Sequence, residues 1–183
     1  MVELQKINFG CGHKHLSGFI NVDNNPNVKE ADVVHDLNIF PYPFADSSVN
    51  EVIMDHVLEH LDDPIRVIEE LYRISADGAM LYIKTPHFSC NWLHPGHKNG
   101  ISTMLFSYFV HDGDDYYGDC YFEVKKIKLS WLRPANKHSV ALNTLSRIIN
   151  FFANLNIGFC QRVWCYWVGG FEELEFETKV IKK

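Results

Sequence analysis

Short apolar runs alternate with polar breaks through the first half of the chain, and the breaks fall on Gly, Asp, Asn or Pro. Runs at Lys6–Phe9, Phe19–Val22, Ala31–His35, Val49–Met54 and Ala79–Lys84 have strand length. Strands of this kind alternating with short helices predict a parallel sheet with ligand chemistry at its carboxyl ends. Val57–Leu61 reads as one helical turn. After it, Asp62-Asp63-Pro64 starts a longer helix with acidic capping residues and proline at the first helical position. Ile65, Ile68, Leu71 and Tyr72 recur at helical spacing, and Gly78 is the expected stop. Phe40-Pro41-Tyr42-Pro43-Phe44-Ala45-Asp46 is a loop, because two prolines remove donors and bias their predecessors away from helix.

The pattern changes after Pro86. From His87 to Asp119 the chain is rich in His, aromatic, Gly and Asp residues, with a helix predicted over Ser102–Phe109. It reads as a cap over the ligand edge of the sheet, an insertion at 87–119 within a single domain spanning 1–183. Gly96, Gly100, Gly113 and Gly118 permit mobility there. Tyr121–Trp131 is a strand whose alternation slips between Val124 and Ile127, which calls for a bulge near Lys125-Lys126. Val140–Leu155 carries Leu145, Ile148, Ile149, Phe152 and Leu155 at helical spacing, and Glu173–Ile181 is a closing strand with Leu174, Phe176, Thr178 and Val180 on one side. The aromatic stretch Phe151, Phe152, Phe159, Trp164, Tyr166 and Trp167 reads as core packing, with a lipid-linked substrate or a homodimer interface as alternatives.

Composition narrows the classes. At 183 residues the chain has the length of one domain. Seventeen basic against 23 acidic residues leave a net charge of −6 with no basic run, so electrostatic adhesion to nucleic acid or to anionic lipid is not expected. The five cysteines, Cys11, Cys90, Cys120, Cys160 and Cys165, lack Cys-x-x-Cys spacing, and no signal peptide is read. They are expected to be reduced thiols of a cytoplasmic protein. The apolar stretch from Ile148 to Val168 is broken by Asn150, Asn154, Asn156, Gln161 and Arg162, so no transmembrane segment is expected.

The chemistry centres on Gly10-Cys11-Gly12, followed by Phe19-Ile20-Asn21-Val22-Asp23. A Gly-x-Gly after one strand lets a ligand approach the backbone, and an acid after the next takes a ribose diol. The interval leaves room for at most one helical turn, and His13, Lys14 and His15 follow Gly12. A dinucleotide site needs a longer helix for its pyrophosphate, so the pattern argues against NAD or FAD. S-adenosylmethionine has a ribose and an adenine but no phosphate, and it fits.

Four blocks then resemble a family in order and spacing: Asn8-Phe9-Gly10-Cys11-Gly12, Asn21-Val22-Asp23, the run from Ala31 to Leu37, and the run from Val52 to Leu61. They are similar to the successive signatures of class I S-adenosylmethionine-dependent methyltransferases of the type 11 group, here in a short variant with a truncated first helix. The resemblance runs well to Pro86 and thins afterwards. It implies an α/β, Rossmann-like fold with a mainly parallel seven-stranded sheet and an antiparallel C-terminal edge. It also implies that Gly10, Cys11 and Gly12 line the methionine end, that Asp23 meets the ribose hydroxyls, and that Asp36 with Leu37 meets the adenine. Asp55 and His56 would face the methionine portion and the transfer site.

Methyl transfer from a sulfonium is an in-line displacement that needs alignment above all. A base matters only for a protonated acceptor, and histidine suits neutral pH. His56 and His97 are the catalytic candidates, with His87, His94 and His97 as acceptor contacts. Glu59 and His60 read as structural residues of a helix start. No metal is expected, because Pro95 and Gly96 put His94 and His97 on a loop and no carboxylate or thiol stands at ligand spacing. The acceptor is expected to be a small molecule or a glycan held under the cap. The alternative is a non-catalytic S-adenosylmethionine- or nucleotide-binding module, or a scaffold.

Overall fold

The computed structural model describes residues 4–109, 119–133 and 139–182. Seven strands form one sheet in the order β3-β2-β1-β4-β5-β7-β6. They are β1 (Gln5–Phe9), β2 (Ile20–Asp23), β3 (Val33–Val34), β4 (Val49–Asp55), β5 (Ser75–Thr85), β6 (Tyr121–Ser130) and β7 (Glu173–Ile181). The first five pair in parallel, and β7 enters antiparallel between β5 and β6. This is the Rossmann-like class I methyltransferase fold with its antiparallel edge. The register of β6 shifts between Val124 and Lys126, where the alternation slips in the sequence.

Helix α1 (Pro64–Ile74) joins β4 to β5 and buries Val67, Ile68, Leu71 and Ile74. Beneath it lie Ile7, Phe9, Val52, Met54, Leu81, Ile83, Leu174, Phe176 and Val180, all buried. The Asp63 carboxylate accepts from Arg66 N at 3.1 Å and caps the helix. The helix passes directly into β5 at Ser75, so Gly78 does not stop it. That glycine sits inside the strand at φ +80°, and the helix ends where Ser75 turns extended.

The opposite face is polar. Right-handed crossovers put the β1-to-β2 and β4-to-β5 connections on opposite faces, because the strand order reverses at β1. Residues 10–19 hold turns instead of a helix, and the face that a helix would cover carries ion pairs: Lys6–Glu51 at 2.6 Å, Lys126–Glu177 at 2.6 Å and Lys128–Glu175 at 2.5 Å.

Beyond β5, residues 87–109 hold the short helix α2 (Phe88–Asn91) and a 3-10 turn at Leu105–Tyr108, shorter than the helix expected over Ser102–Phe109. Residues 110–118 of the expected cap, Gly113 and Gly118 included, lie outside the described residues. The segment folds back on the 3-10 turn Leu58–His60, where Lys98 N and Asn99 N donate to the Glu59 carbonyl at 2.8 and 3.3 Å.

Helix α3 (Val140–Leu155) has the expected bounds but the reverse of the expected orientation. Its polar side points inward: Asn154 caps both the N–H and the carbonyl of Leu129 on edge strand β6 at 2.8 Å each, and Asn150 accepts from Trp131 N at 2.7 Å. Leu145, Ile148, Phe151, Phe152 and Leu155 are exposed, and so are Phe159, Tyr166 and Trp167 in the helical segment at 157–167. Most of the aromatic stretch expected to pack as core therefore faces outward. The edge strand needed hydrogen-bond partners, and the asparagines supply them. No helix among the described residues is long and apolar enough to cross a membrane, and all five cysteines are free.

Candidate functional site

The order reversal between β1 and β4 opens a crevice at the carboxyl ends of the strands. Gly10 closes β1 at φ +64°, and a Cβ there would lie 2.2 Å from Val57 Cγ2. Only glycine fits that turn. The following loop is held by two buried asparagines in place of a helix. Asn8 donates to the Asn21 side chain at 3.0 Å and to the Lys14 carbonyl at 3.1 Å; Asn21 accepts from Leu16 N at 2.9 Å and donates to Asp32 at 2.9 Å. Asp23 ends β2 with its carboxylate fixed by Gly12 N at 2.9 Å and Asn25 N at 3.0 Å.

The loop after β3 is fastened from below. The Glu70 carboxylate accepts from Tyr42 N at 2.6 Å, the Tyr42 hydroxyl donates to the Leu37 carbonyl at 2.9 Å, and Arg73 bonds the carbonyls of Tyr42 and Phe44. This delivers Asp36 and Leu37 to the crevice. A cavity of about 300 Å³ results, lined by Gly10, Asp23, Asn24, Asp36, Leu37, His56, Val57, His60 and Leu61. Five of the residues read from the sequence for the cofactor thus share one wall. Three others stand outside that lining: Cys11 is buried, with its thiol pushed up by burial and by Asp23; Gly12 serves Asp23; and Asp55 pairs with Lys14 at 3.3 Å.

His56 follows β4 at φ +57°, an uncommon backbone for a residue with a Cβ, though one that histidine adopts more readily than most. Its Nε2 lies 3.2 Å from Glu173 Oε2 and its Nδ1 3.3 Å from Glu59 Oε1. Burial by itself would lower the imidazole pKa; Glu173 and Glu59 outweigh burial and the Arg133 charge and hold it at about 9. His56 is therefore a cation at neutral pH. Glu173 responds in the opposite sense: burial raises it, but His56, Lys84 and Arg133 bring it below the usual carboxylate range.

A second cavity of about 390 Å³ shares His56 and His60 with the first and adds Glu59, Pro86, Cys90, Leu93, His94, His97, Arg133 and Glu172. His94 and His97 are brought together here, with rings stacked at 4.6 Å. His87 is not among them. It is fully buried against Ser89 and the Phe88 and Phe171 rings, and burial lowers its pKa to about 4. Glu59, His60 and His97 bring one potential ligand atom each within 4.8 Å of one another. A carboxylate thus stands beside two of the histidines, which the spacing in the sequence did not suggest, and fully buried Glu59 also has His56 Nδ1 at 3.3 Å.

Sequence reasoning missed Glu173 and Arg133, and treated Glu59 as a local structural residue. Glu173 is 117 positions from His56, and no local pattern couples them. The signal for Glu59 was its place beside two histidines in Leu58-Glu59-His60-Leu61.

A glycine turn, a fixed β2 carboxylate and an open crevice at the strand-order reversal place the candidate site at the carboxyl ends of an α/β sheet. Residues 9–83 match the family described as a methyltransferase domain. That stretch holds Gly10, Asp23, Asp36 and His56, and the sheet order is that of the Rossmann-like class I methyltransferase fold. Solved structures agree on the fold. A SAM-dependent methyltransferase from Archaeoglobus fulgidus is 21% identical with a TM-score of 0.60, covering 97% of this chain and 86% of its own. One from Mesorhizobium loti is 12% identical with a TM-score of 0.59, covering 97% and 92%. The [4+2]-cyclase SpnF, also 12% identical, has a TM-score of 0.59 and covers 99% and 76%. No curated protein sequence matches the chain.

Proposed function

We propose that the protein transfers the methyl group of S-adenosylmethionine to a hydroxyl-bearing small molecule or glycan held in the second cavity. The observation that carries this reading is the wall common to both cavities: His56 and His60 line each of them, so donor and acceptor would meet across those two side chains. The first cavity suits the nucleoside. Two carboxylates, Asp23 and Asp36, offer acceptors for a ribose diol and an amine, Leu37 and Leu61 offer apolar contact for a ring, and acidic walls disfavour phosphate.

When bound, S-adenosylmethionine supplies a methyl group on a positively charged sulfur. The chain supplies alignment, which is most of what an in-line displacement requires. Asp23 orients the ribose end, and the His56 imidazolium offers charge to the amino-acid carboxylate. A group held protonated donates rather than accepts, so of the two histidines read as catalytic His97 takes the acceptor proton. Its Nε2 lies 4.0 Å from Glu59 Oε1, which stabilises the imidazolium that forms. Arg133 and Glu172 bound the far side of the acceptor cavity and suit a polar, hydroxyl-rich molecule.

Calorimetric titration with S-adenosylmethionine and its demethylated product tests the donor site, with Asp23→Ala expected to bind at least tenfold more weakly. Absence of binding by the parent protein overturns the assignment. Turnover is read as acceptor-dependent release of the demethylated product, and His97→Ala is expected to lose it while keeping donor affinity. A second reading, binding without transfer, draws on the helix-free loop at 10–19, which leaves the donor cavity with fewer walls. Binding with no product across a panel of hydroxylated acceptors would favour it.

A further inference from the structure

Helix α3 is inside out. Its asparagines face the sheet edge, and Val140, Leu145, Ile148, Phe151, Phe152 and Leu155 face solvent over four successive turns. The segment at 157–167 extends the apolar surface, with Trp167 84% exposed. It continues onto α2 and the residues after it. Phe88 meets the Tyr166 ring at 6.4 Å, Ser89 Oγ accepts from Phe171 N at 3.0 Å, and just beyond them Trp92 and Leu93 project, Leu93 86% exposed. Leu93 and Cys90 also line the acceptor cavity, so the apolar surface reaches that cavity's rim.

The charge on this part of the chain is one-sided. From Trp131 to Phe171 there is no Asp or Glu, while Arg133, Lys137, Arg147 and Arg162 are present. All 23 acidic residues lie elsewhere. Arg133 pairs with Glu173 at 3.7 Å beside the acceptor cavity, which leaves exposed Arg147 and Arg162 as the basic groups of α3 and the segment after it. An apolar stripe with exposed Trp and Tyr, flanked by those two arginines, matches the chemistry of an anionic lipid surface. A second copy matches it poorly, since a two-fold interface would set the side that carries Arg147 and Arg162 against its own copy, with no acid from this stretch to meet them. An apolar cavity of about 400 Å³, lined by Ile148, Phe152, Phe159, Trp164 and Phe171 among others, opens under the same face and suits a hydrocarbon chain.

We propose that α3, residues 157–168 and Trp92–Leu93 dock on the surface of an anionic bilayer, without crossing it, and set the mouth of the acceptor cavity at the lipid headgroups. The docking stands on the exposed face; only its bearing on the acceptor rests on the methyltransferase reading. An acceptor whose polar group is carried on a membrane lipid then meets the cavity without leaving the bilayer.

The test is co-sedimentation with vesicles of phosphatidylcholine alone or with about one-third phosphatidylglycerol, read together with tryptophan emission, since Trp92 and Trp167 are both exposed. Binding to the anionic vesicles with a blue shift, weakened by salt, is expected. Arg147→Glu should bind about tenfold more weakly. Phe151→Glu and Trp167→Glu, neither of which lines a cavity, should lose vesicle binding while keeping S-adenosylmethionine affinity and the thermal midpoint. Equal binding to both vesicle types overturns the charge argument. No vesicle binding by a protein that still binds S-adenosylmethionine overturns the docking, as does a concentration-dependent dimer that Phe151→Glu dissociates.

Discussion

His56 Nε2 lies 3.2 Å from Glu173 Oε2, and this contact joins the end of the parallel half of the sheet to the start of its antiparallel edge. His56 has Glu59 at 3.3 Å and Asp55 at 3.9 Å on its other sides, with Arg133 the opposing charge. The folded imidazole titrates at about 9 against an ordinary 6.5. The charged form is the one the fold favours, so this stabilisation is complete below about 6.5 and is lost as pH rises through about 9. The thermal midpoint is expected to fall over that interval. In Glu173→Gln the fall should be smaller and should end at lower pH, and NMR titration of the His56 ring should show its pKa lowered. An unchanged ring pKa would remove Glu173 as the partner.

Gly10 and Gly12 both take positive φ, but for different reasons. A Cβ at Gly10 collides with Val57, whereas one at Gly12 meets nothing within 4 Å. Gly10→Ala is expected to cost roughly 1–3 kcal/mol and to weaken S-adenosylmethionine binding by tenfold or more, because Val57 also lines the donor cavity. Gly12→Ala should cost only about 1–2 kcal/mol, the backbone cost alone. Urea unfolding and calorimetry on the pair read both effects, and equal losses would contradict the steric account.

Asn154 bonds both backbone groups of Leu129 on the outer strand. Asn154→Ala leaves them without those partners and is expected to cost about 1–3 kcal/mol in urea unfolding. Asn154→Leu should cost as much or more, since leucine restores volume but no hydrogen bonds. A neutral result for both would show that the edge is held by packing.

Glu59, His60 and His97 have the chemistry of metal ligands, yet the His56 cation stands against the Glu59 carboxylate. Transfer is expected to survive exhaustive dialysis against a chelator with its turnover unchanged. Activity lost on chelation and restored by zinc or manganese would assign the trio to a metal.

The first half of the chain was legible because its information is local. Strand lengths, the Gly-x-Gly turn, the acid closing β2 and the Asp63-Pro64 helix start are each encoded within a few residues. They place Gly10, Asp23, Asp36, Leu37 and His56 around one cavity. His87 misled because histidine beside a chain of site residues looks functional until burial is known, and it is fully buried.

The sequence by itself determined the sheet, the glycine turn and the absence of a β1–β2 helix, since backbone geometry and hydrophobic spacing act over short range. Only the tertiary structure decided what His56 is. An imidazole becomes a lasting cation when the fold carries Glu173 to it across 117 positions and buries Glu59 beneath it. The direction α3 faces was decided in the same way. Helical spacing specifies an apolar stripe but not its orientation, and the unpaired edge of β6 turned the asparagines inward and the stripe toward solvent.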